Sequence, residues 1–195
     1  MKRMVKAVWK PTAIILGAII LVYISYGLLT AQDRKIKFLQ KYLSDKASIT
    51  LIVYCDKYNV DWIKVLALLY SESEGKQKAR SRNRNGSRDY GYMQLNGSGT
   101  LQHLRQRLKE HIDDVGKYST EFNIGGGILH LRSMLDYVDE NYYRAAELYN
   151  IGIGSYREGK RNNRHLEKWI TYYTYFKYEY LDDNKFLGIF DRKNI

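Results

Sequence analysis

Two carboxylates close an apolar stretch of the chain, and they fall on different helix faces. Glu72 and Glu74 follow residues 60–70, an apolar run with the periodicity of an α-helix. At about 100° per residue, Glu72 shares a face with Val65 and Leu69, which points toward a core. Glu74 lies about 200° away, on a face that we expect to be wet. Glu72 is therefore the candidate for chemistry that needs a desolvated carboxyl group.

A carboxyl group on an apolar helix face has two interpretations, which the residues alone leave open. Glu72 could be a core-edge side chain that turns to solvent at the helix end, where Gly75 would stop the helix. It could instead be a catalytic acid, because desolvation disfavours the charged form of a carboxyl group and preserves a proton for donation. Asp61 is predicted to cap the start of this helix by accepting hydrogen bonds from its first turn.

Three blocks of sequence carry a family resemblance. The chain reads Glu-Ser at 72–73 and Ala-Arg-Ser at 79–81, then Gly-Tyr-Met-Gln-Leu-Asn at 91–96. A third block, at 145–154, reads Ala-Ala-Glu-Leu-Tyr-Asn-Ile-Gly-Ile-Gly. In this order and spacing, the blocks resemble the catalytic core of the lytic transglycosylases, lysozyme-like enzymes that cleave bacterial peptidoglycan. The resemblance covers residues 47–182.

This resemblance implies a reaction that needs a single carboxyl group. Glu72 would protonate the oxygen of the β-1,4 bond between N-acetylmuramic acid and N-acetylglucosamine. As a carboxylate, it would then take the proton from the sugar's own 6-hydroxyl, which closes on C1 and leaves a 1,6-anhydro end. We expect no cofactor and no metal, since the four histidines lack the spacing of metal ligands.

The same resemblance assigns substrate-binding positions. Ser73 would bond the glycan or orient the transition state, and Gln94 with the backbone around Met93 would line the groove. Tyr92 stands where the family usually has Leu, which could change the shape of the groove. Tyr149 and Asn150 would position Glu72 and the sugar. The family also carries a Tyr on its last helix near the catalytic Glu. Tyr175 is the candidate for this position, and Tyr172 is the alternative.

Other functions remain open. Goose-type lysozymes, which are hydrolases, look similar but place an Asp two residues after the Gln to manage water, whereas this chain has Asn96. That difference favours the transglycosylase, although Asp89 or Glu74 could serve a hydrolase. A non-catalytic wall-binding or assembly protein is a further alternative, against which the intact Glu72 argues. Nucleic-acid binding is not expected, because no DNA-reading motif accompanies the net charge of +11.

The N-terminal segment is predicted to anchor the protein in a membrane. Residues 1–11 form a basic leader, and residues 12–31 contain no charged side chain. A helix of about 20 residues at about 1.5 Å each spans about 30 Å, the thickness of a bilayer core. Because the exit at 29–31 is a poor cleavage site, we expect an uncleaved single-pass anchor in the inner (cytoplasmic) membrane. The catalytic domain is placed on the periplasmic or extracytoplasmic side, chiefly because the implied substrate lies there.

The rest of the chain is predicted to form an all-α, lysozyme-like domain. Residues 32–46 are interpreted as a polar linker or as a first helix of the domain, and residues 47–182 as the catalytic domain. Residues 183–195 are a tail without a family counterpart. No alternation of apolar and polar residues indicates a strand. Beyond the catalytic helix, helices are predicted at 101–112, 123–138, 142–149 and 166–181.

A basic loop follows the two carboxylates. Residues 76–88 carry six Lys and Arg side chains. Such a run is most simply a solvated loop, but its field would also raise the encounter rate with an anionic polymer. Peptidoglycan glycan strands are therefore one expected partner, and the membrane that holds the anchor is the other. A secretion, conjugation or phage machine could use the same enzyme, and the sequence does not decide among these roles.

Overall fold

A computed structural model of the chain describes residues 2–110 and 112–185, in two compact units, Met1–Lys41 and Tyr42–Ile195. The first unit contains one long helix, α1 (Lys2–Leu39). No helix within the described ranges is both long enough and apolar enough to cross a membrane. The structure therefore does not support the predicted anchor at 12–31. In that segment the side chains at 12–13, 15–16, 19 and 23–26 lie outside the described residues.

The second unit is mostly helical, and the ends of several helices differ from the prediction. The last helix begins earlier and ends later than predicted, so it crosses the predicted boundary at 182, and residues 186–195 of the predicted tail lie outside the described residues. The helices in order are α2 (Asp45–Tyr58), α3 (Trp62–Ser73), α4 (Thr100–Leu108), α5 (Thr120–Tyr137), α6 (Tyr142–Arg157, kinked at Gly152) and α7 (Asn163–Lys185).

A small sheet departs from the predicted all-α fold. Strands β1 (Arg80–Arg82), β2 (Arg88–Tyr90) and β3 (Leu95–Asn96) form an antiparallel sheet in that order. Strands of two or three residues are too short for an alternation of apolar and polar residues to be recognised. In β1 and β2 most positions are polar and β1 is exposed throughout, so no such alternation exists there. The expectation of a fold without strands is therefore wrong, and the unit is mostly helical with a small hairpin sheet.

Side-chain caps fix where the helices of this unit begin and end. Asp61 accepts hydrogen bonds from two backbone N–H groups in the first turn of α3, which confirms the predicted cap. Ser44, Ser119 and Asn141 cap α2, α5 and α6 in the same way. Asn59 ends α2 with a φ of 51°, in the left-handed conformation that Asn tolerates better than most residues.

Two glycines let α5 approach its neighbours closely. A Cβ added at Gly125 would stand 2.7 Å from the ring of Tyr54, and one at Gly127 would stand 2.5 Å from the side chain of Met93. Both separations are shorter than side chains tolerate, so a residue without a Cβ is required there. The contact between Gly127 and Met93 places the turn at 91–94 directly against α5.

Helices α3 and α7 are joined by polar contacts in addition to their apolar packing, and two of these contacts bind backbone carbonyls of α3. Trp169 is buried and donates its indole N–H to the carbonyl of Lys64 at 3.2 Å. Lys168 donates to the carbonyl of Ser71 at 2.8 Å, one of the carbonyls that a helix end leaves unpaired. The two contacts lie near opposite ends of α3, so α7 sets the position of the whole helix.

Asn123 is the buried amide that fixes the turn at 91–94. Its Oδ1 accepts from the backbone N–H of Met93 at 2.8 Å, and its Nδ2 donates to the carbonyls of Tyr90 at 2.8 Å and Lys117 at 3.0 Å. The side chain is fully buried. Without it, these three backbone groups would lose a partner away from water.

We expect Asn123→Ala to lower the free energy of unfolding by about 3 kcal/mol, since each buried polar group left unpaired costs about 1–3 kcal/mol. Urea unfolding followed by circular dichroism measures the loss. The matched control is Asn141→Ala, which removes a more exposed helix cap and should cost about 1 kcal/mol. Equal losses in the two variants would show that the contacts of Asn123 do not hold the turn.

Candidate active site

Glu72 lies in the last turn of α3, which ends one residue later at Ser73. Glu74 has a φ of 53° and Gly75 a φ of 74°, so two consecutive left-handed residues terminate the helix. The predicted stop at Gly75 is therefore one residue late. The side chain of Glu72 is only 11% exposed, whereas that of Glu74 is 52% exposed. The two carboxylates lie on different faces, as the helical spacing predicted.

A cleft of about 540 Å³ opens beside Glu72. Its walls come from residues 83–100, from α5 and from residues 149–153 of α6. The lining is rich in uncharged polar groups, most of them amides. Amide side chains both donate and accept hydrogen bonds, which suits the hydroxyl and acetamido groups of a sugar. The amides that line the cleft are Asn83, Asn85, Gln94, Asn96 and Asn150.

The cleft brings together half of the predicted site residues. Glu72, Gln94, Tyr149 and Asn150 all line it. Ser73 does not line the cleft, because its side chain is buried and its hydroxyl donates to the carbonyl of Leu69 at 3.1 Å. The geometry thus gives Ser73 a place in α3 rather than a contact with substrate.

Three further predicted residues also lie away from the cleft lining. The side chains of Tyr92 and Met93 are buried, and the backbone carbonyl of Met93 accepts from Tyr149, which lines the cleft. Tyr175 is 53% exposed, and its ring lies 6.4 Å from that of Tyr42. Tyr172, the alternative to Tyr175, stacks on Phe176. Neither of these two α7 tyrosines is brought beside Glu72.

Tyr149 links the cleft to the turn at 91–94. Its hydroxyl donates to the carbonyl of Met93 at 2.8 Å, and its ring packs against the imidazole of His130. Burial raises the pKa of Tyr149 well above its usual value, and the charges of Glu72 and Asp89 add to this, so the phenol keeps its proton. Burial also lowers the pKa of His130 to about 4, so this imidazole is neutral at neutral pH.

Asp89 is a second carboxylate in the cleft, and hydrogen-bond donors surround it. Its two oxygens accept from the amide of Asn83 at 3.0 Å, from the amide of Asn96 at 2.7 Å and from the hydroxyl of Ser81 at 3.3 Å. Ser81 lies on β1, Asn83 in the turn of the hairpin formed by β1 and β2, and Asn96 on β3, so Asp89 on β2 links all three strands. They also occupy much of the accepting capacity of the carboxylate.

Glu74 lies outside the cleft lining. Its carboxylate contacts Lys76 at 2.9 Å and Lys168 at 3.9 Å. The hydrogen bond from Lys76 lowers the pKa of Glu74, which keeps it charged. Glu74 is therefore unsuited to give a proton to a substrate. Across residues 2–110 and 112–185, no group of three or more His, Cys, Asp or Glu side chains is arranged to hold a metal ion.

His165 makes a contact with Glu72 that the sequence did not predict. Its Nε2 lies 3.0 Å from Oε1 of Glu72, and the two side chains are only 9% and 11% exposed. The residues are 93 positions apart, so no local periodicity could pair them. Metal-ligand spacing, the property for which the histidines were considered, gives no hint of it. The one available signal was a His at the predicted start of the last helix.

Comparison with known proteins points to one family. The family model described as "Transglycosylase SLT domain" matches residues 50–172, more than half of the chain. Among solved structures, the chain is similar to an inactive mutant of the lytic transglycosylase Slt from Pseudomonas aeruginosa, with 17% sequence identity and a TM-score of 0.55. The match covers 67% of this chain and 24% of that chain, so it spans about a quarter of the Pseudomonas enzyme and shows the fold. No curated protein matches the sequence.

The matched segment contains all three blocks on which the resemblance rests, at 72–81, 91–96 and 145–154. Family and fold together confirm the prediction of a lysozyme-like lytic transglycosylase domain. The chain belongs to the transglycosylase SLT domain family.

Proposed function

We propose that the chain is a peptidoglycan lytic transglycosylase that cleaves the β-1,4 bond between N-acetylmuramic acid and N-acetylglucosamine and leaves a 1,6-anhydro end. The observation that carries this proposal is the position of Glu72, a nearly buried carboxyl group that lines a cleft rich in amides. A carboxyl group placed there can reach the glycosidic oxygen of a bound glycan and act as a general acid.

The reaction needs one carboxyl group in two steps. In the first, the proton of Glu72 moves to the glycosidic oxygen, and the bond from C1 to that oxygen breaks with its electron pair leaving on the N-acetylglucosamine. In the second, the 6-hydroxyl of the muramic acid bonds to C1, and its proton returns to the Glu72 carboxylate. Glu72 is thereby regenerated and no water is consumed.

The polar groups around Glu72 favour ring closure over hydrolysis. Where goose-type lysozymes hold an Asp, Asn96 donates its amide to Asp89, and an amide cannot take a proton from water. Asp89 is itself engaged by three side-chain donors. One observation keeps a hydrolase as the second candidate, because Asp89 lines the same cleft as Glu72.

The basic hairpin supports an anionic polymer as substrate. Arg80, Arg82, Arg84 and Arg88 are exposed on the hairpin, while neighbouring side chains of the same segment line the cleft. A positive field at the cleft entrance raises the encounter rate with a chain that carries carboxylates, and salt weakens it. We assign this hairpin to the capture of peptidoglycan.

Localisation is proposed from the sequence alone. Residues 12–31, uncharged and next to a basic leader, would anchor the protein in the cytoplasmic membrane with the catalytic unit on the extracytoplasmic side. Alkaline carbonate extraction of cells that produce the full chain should leave it in the membrane pellet, and its complete release would contradict the anchor. Work with a secretion, conjugation or phage machine stays a prediction, since none of the described features identifies such a partner.

Product analysis tests the reaction. When the full chain digests peptidoglycan in water labelled with heavy oxygen, we expect mass spectrometry to find anhydro-muropeptides without label at the new C1 end, because the 6-hydroxyl supplies the nucleophile. Label at C1 would instead show hydrolysis. In that case Asp89→Asn should abolish the labelled product, since the amide cannot activate water.

Two isosteric substitutions test which carboxylate acts. We expect Glu72→Gln to lower kcat by at least about 10²-fold, the scale of a lost general acid, while the thermal midpoint stays near that of the wild type. Glu74→Gln is the matched control two residues away and should keep most of the activity. If Glu74→Gln lost activity and Glu72→Gln kept it, the chemistry would belong to the face of α3 that carries Glu74, which would contradict the proposal.

A further inference from the structure

His165 is a nearly buried imidazole that the proposed reaction does not yet use. Its contact with Oε1 is the one hydrogen bond that the side chain of Glu72 makes within the described part of the chain. The other carboxyl oxygen, Oε2, is therefore the atom available to a glycan. His165 does not line the cleft itself, so any effect on the reaction passes through Glu72.

The backbone that carries His165 is fixed by α6. Asn162 accepts from the backbone N–H of His165 at 3.2 Å and so caps the start of α7. Asn162 in turn donates its backbone N–H to the buried carboxylate of Glu147 at 3.2 Å and its amide to Asn150 at 2.7 Å. Because Asn150 lines the cleft, one hydrogen-bonded network joins the cleft wall to the imidazole.

The second ring nitrogen decides which protonation state of the imidazole is favoured. Nδ1 of His165 is buried and has no hydrogen-bond partner among the described residues. A proton on Nδ1 would be a buried donor without an acceptor, a situation that folded proteins avoid more strictly than an unpaired acceptor. The neutral tautomer that carries its proton on Nε2 is therefore favoured, and it donates to Oε1 of Glu72.

We propose that His165 is a positioning residue for Glu72, whose neutral imidazole donates from Nε2 to Oε1 before and after proton transfer. The proposal rests on the proposed role of Glu72 as acid and base. While Glu72 is protonated, the contact holds the carboxyl group with Oε2 available to the glycan. Once the proton has left, the same N–H stabilises the new carboxylate, which is a contribution made most strongly where charge develops.

The ionisable groups on the neighbouring elements are engaged in other contacts. This leaves His165 as the side chain that hydrogen-bonds Glu72 within the described ranges. Lys168 contacts Ser71 and Glu74, and Glu147 contacts Arg161. Asp89 accepts from Asn83 and Asn96, and the neutral phenol of Tyr149 donates to the carbonyl of Met93.

Two substitutions separate a hydrogen-bond donor from a proton carrier. His165→Gln keeps an N–H donor at a similar reach but does not titrate, and His165→Met fills a similar volume without a donor. We expect His165→Gln to keep kcat within about threefold with the wild-type pH profile, and His165→Met to lose kcat by about 10²-fold, the scale of one lost preorganised donor. KM should change little in both. His103→Gln, at an exposed position of α4, is the matched control and should have no effect.

Two kinetic outcomes would overturn the proposal. An equal loss in His165→Gln and His165→Met, with a changed pH profile, would show that the imidazole itself carries a proton. Full activity in both would show that the contact only supports packing. Thermal unfolding of each variant identifies any loss of kcat that comes from unfolding, and the tautomer measurement then decides.

Nitrogen-15 NMR of the imidazoles reports the tautomer without turnover. We expect His165, assigned from the signal lost in His165→Gln, to carry its proton on Nε2 at neutral pH, both in the wild type and in Glu72→Gln, which keeps an acceptor oxygen. A doubly protonated ring, or a proton on Nδ1 alone, would overturn the proposal. Failure of the proposed function is seen separately, as a wild-type chain that releases no anhydro ends.

Discussion

A carboxyl group removed from most solvent has to be compensated by its surroundings, and among residues 2–110 and 112–185 the carboxyl group of Glu72 meets this requirement through its contact with Nε2 of His165. The two residues come from α3 and α7 and lie 93 positions apart in the sequence. N–H···O hydrogen bonds usually span about 2.7–3.2 Å, so α3 and α7 must keep their relative position to a fraction of an ångström. Much of the architecture around the cleft maintains this relative position of α3 and α7.

Each neighbouring element holds one part of this arrangement. The indole of Trp169 and the ammonium group of Lys168 fasten α7 to carbonyls near both ends of α3. Asn162 fixes the first turn of α7 to α6. On the other side of the cleft, Asn123 and the glycines of α5 hold the turn at 91–94, whose Met93 carbonyl receives the hydroxyl of Tyr149. Several groups that line the cleft are thus supported by side chains outside its lining.

The parts that the sequence predicted are those set by local chemistry or by the family pattern. The Asp61 cap and the buried face of α3 follow from capping preferences and helical period, which operate within a few residues. The placement of Tyr175 and the partner of Glu72 could not be obtained in this way, because they depend on how α7 is rotated against α3. The contact of His165 with Glu72 follows from the fold alone, since the two residues are 93 positions apart and local periodicity does not connect them.

The proposed reaction requires Glu72 to meet the scissile bond, and a crystal structure of Glu72→Gln with a peptidoglycan fragment in the cleft tests this most directly. We expect the side-chain amide at position 72 to lie within about 3.2 Å of the glycosidic oxygen between N-acetylmuramic acid and N-acetylglucosamine. His165 should still contact the Oε1 of that side chain. A fragment whose scissile oxygen lies beside Asp89 and out of reach of position 72 would contradict the account.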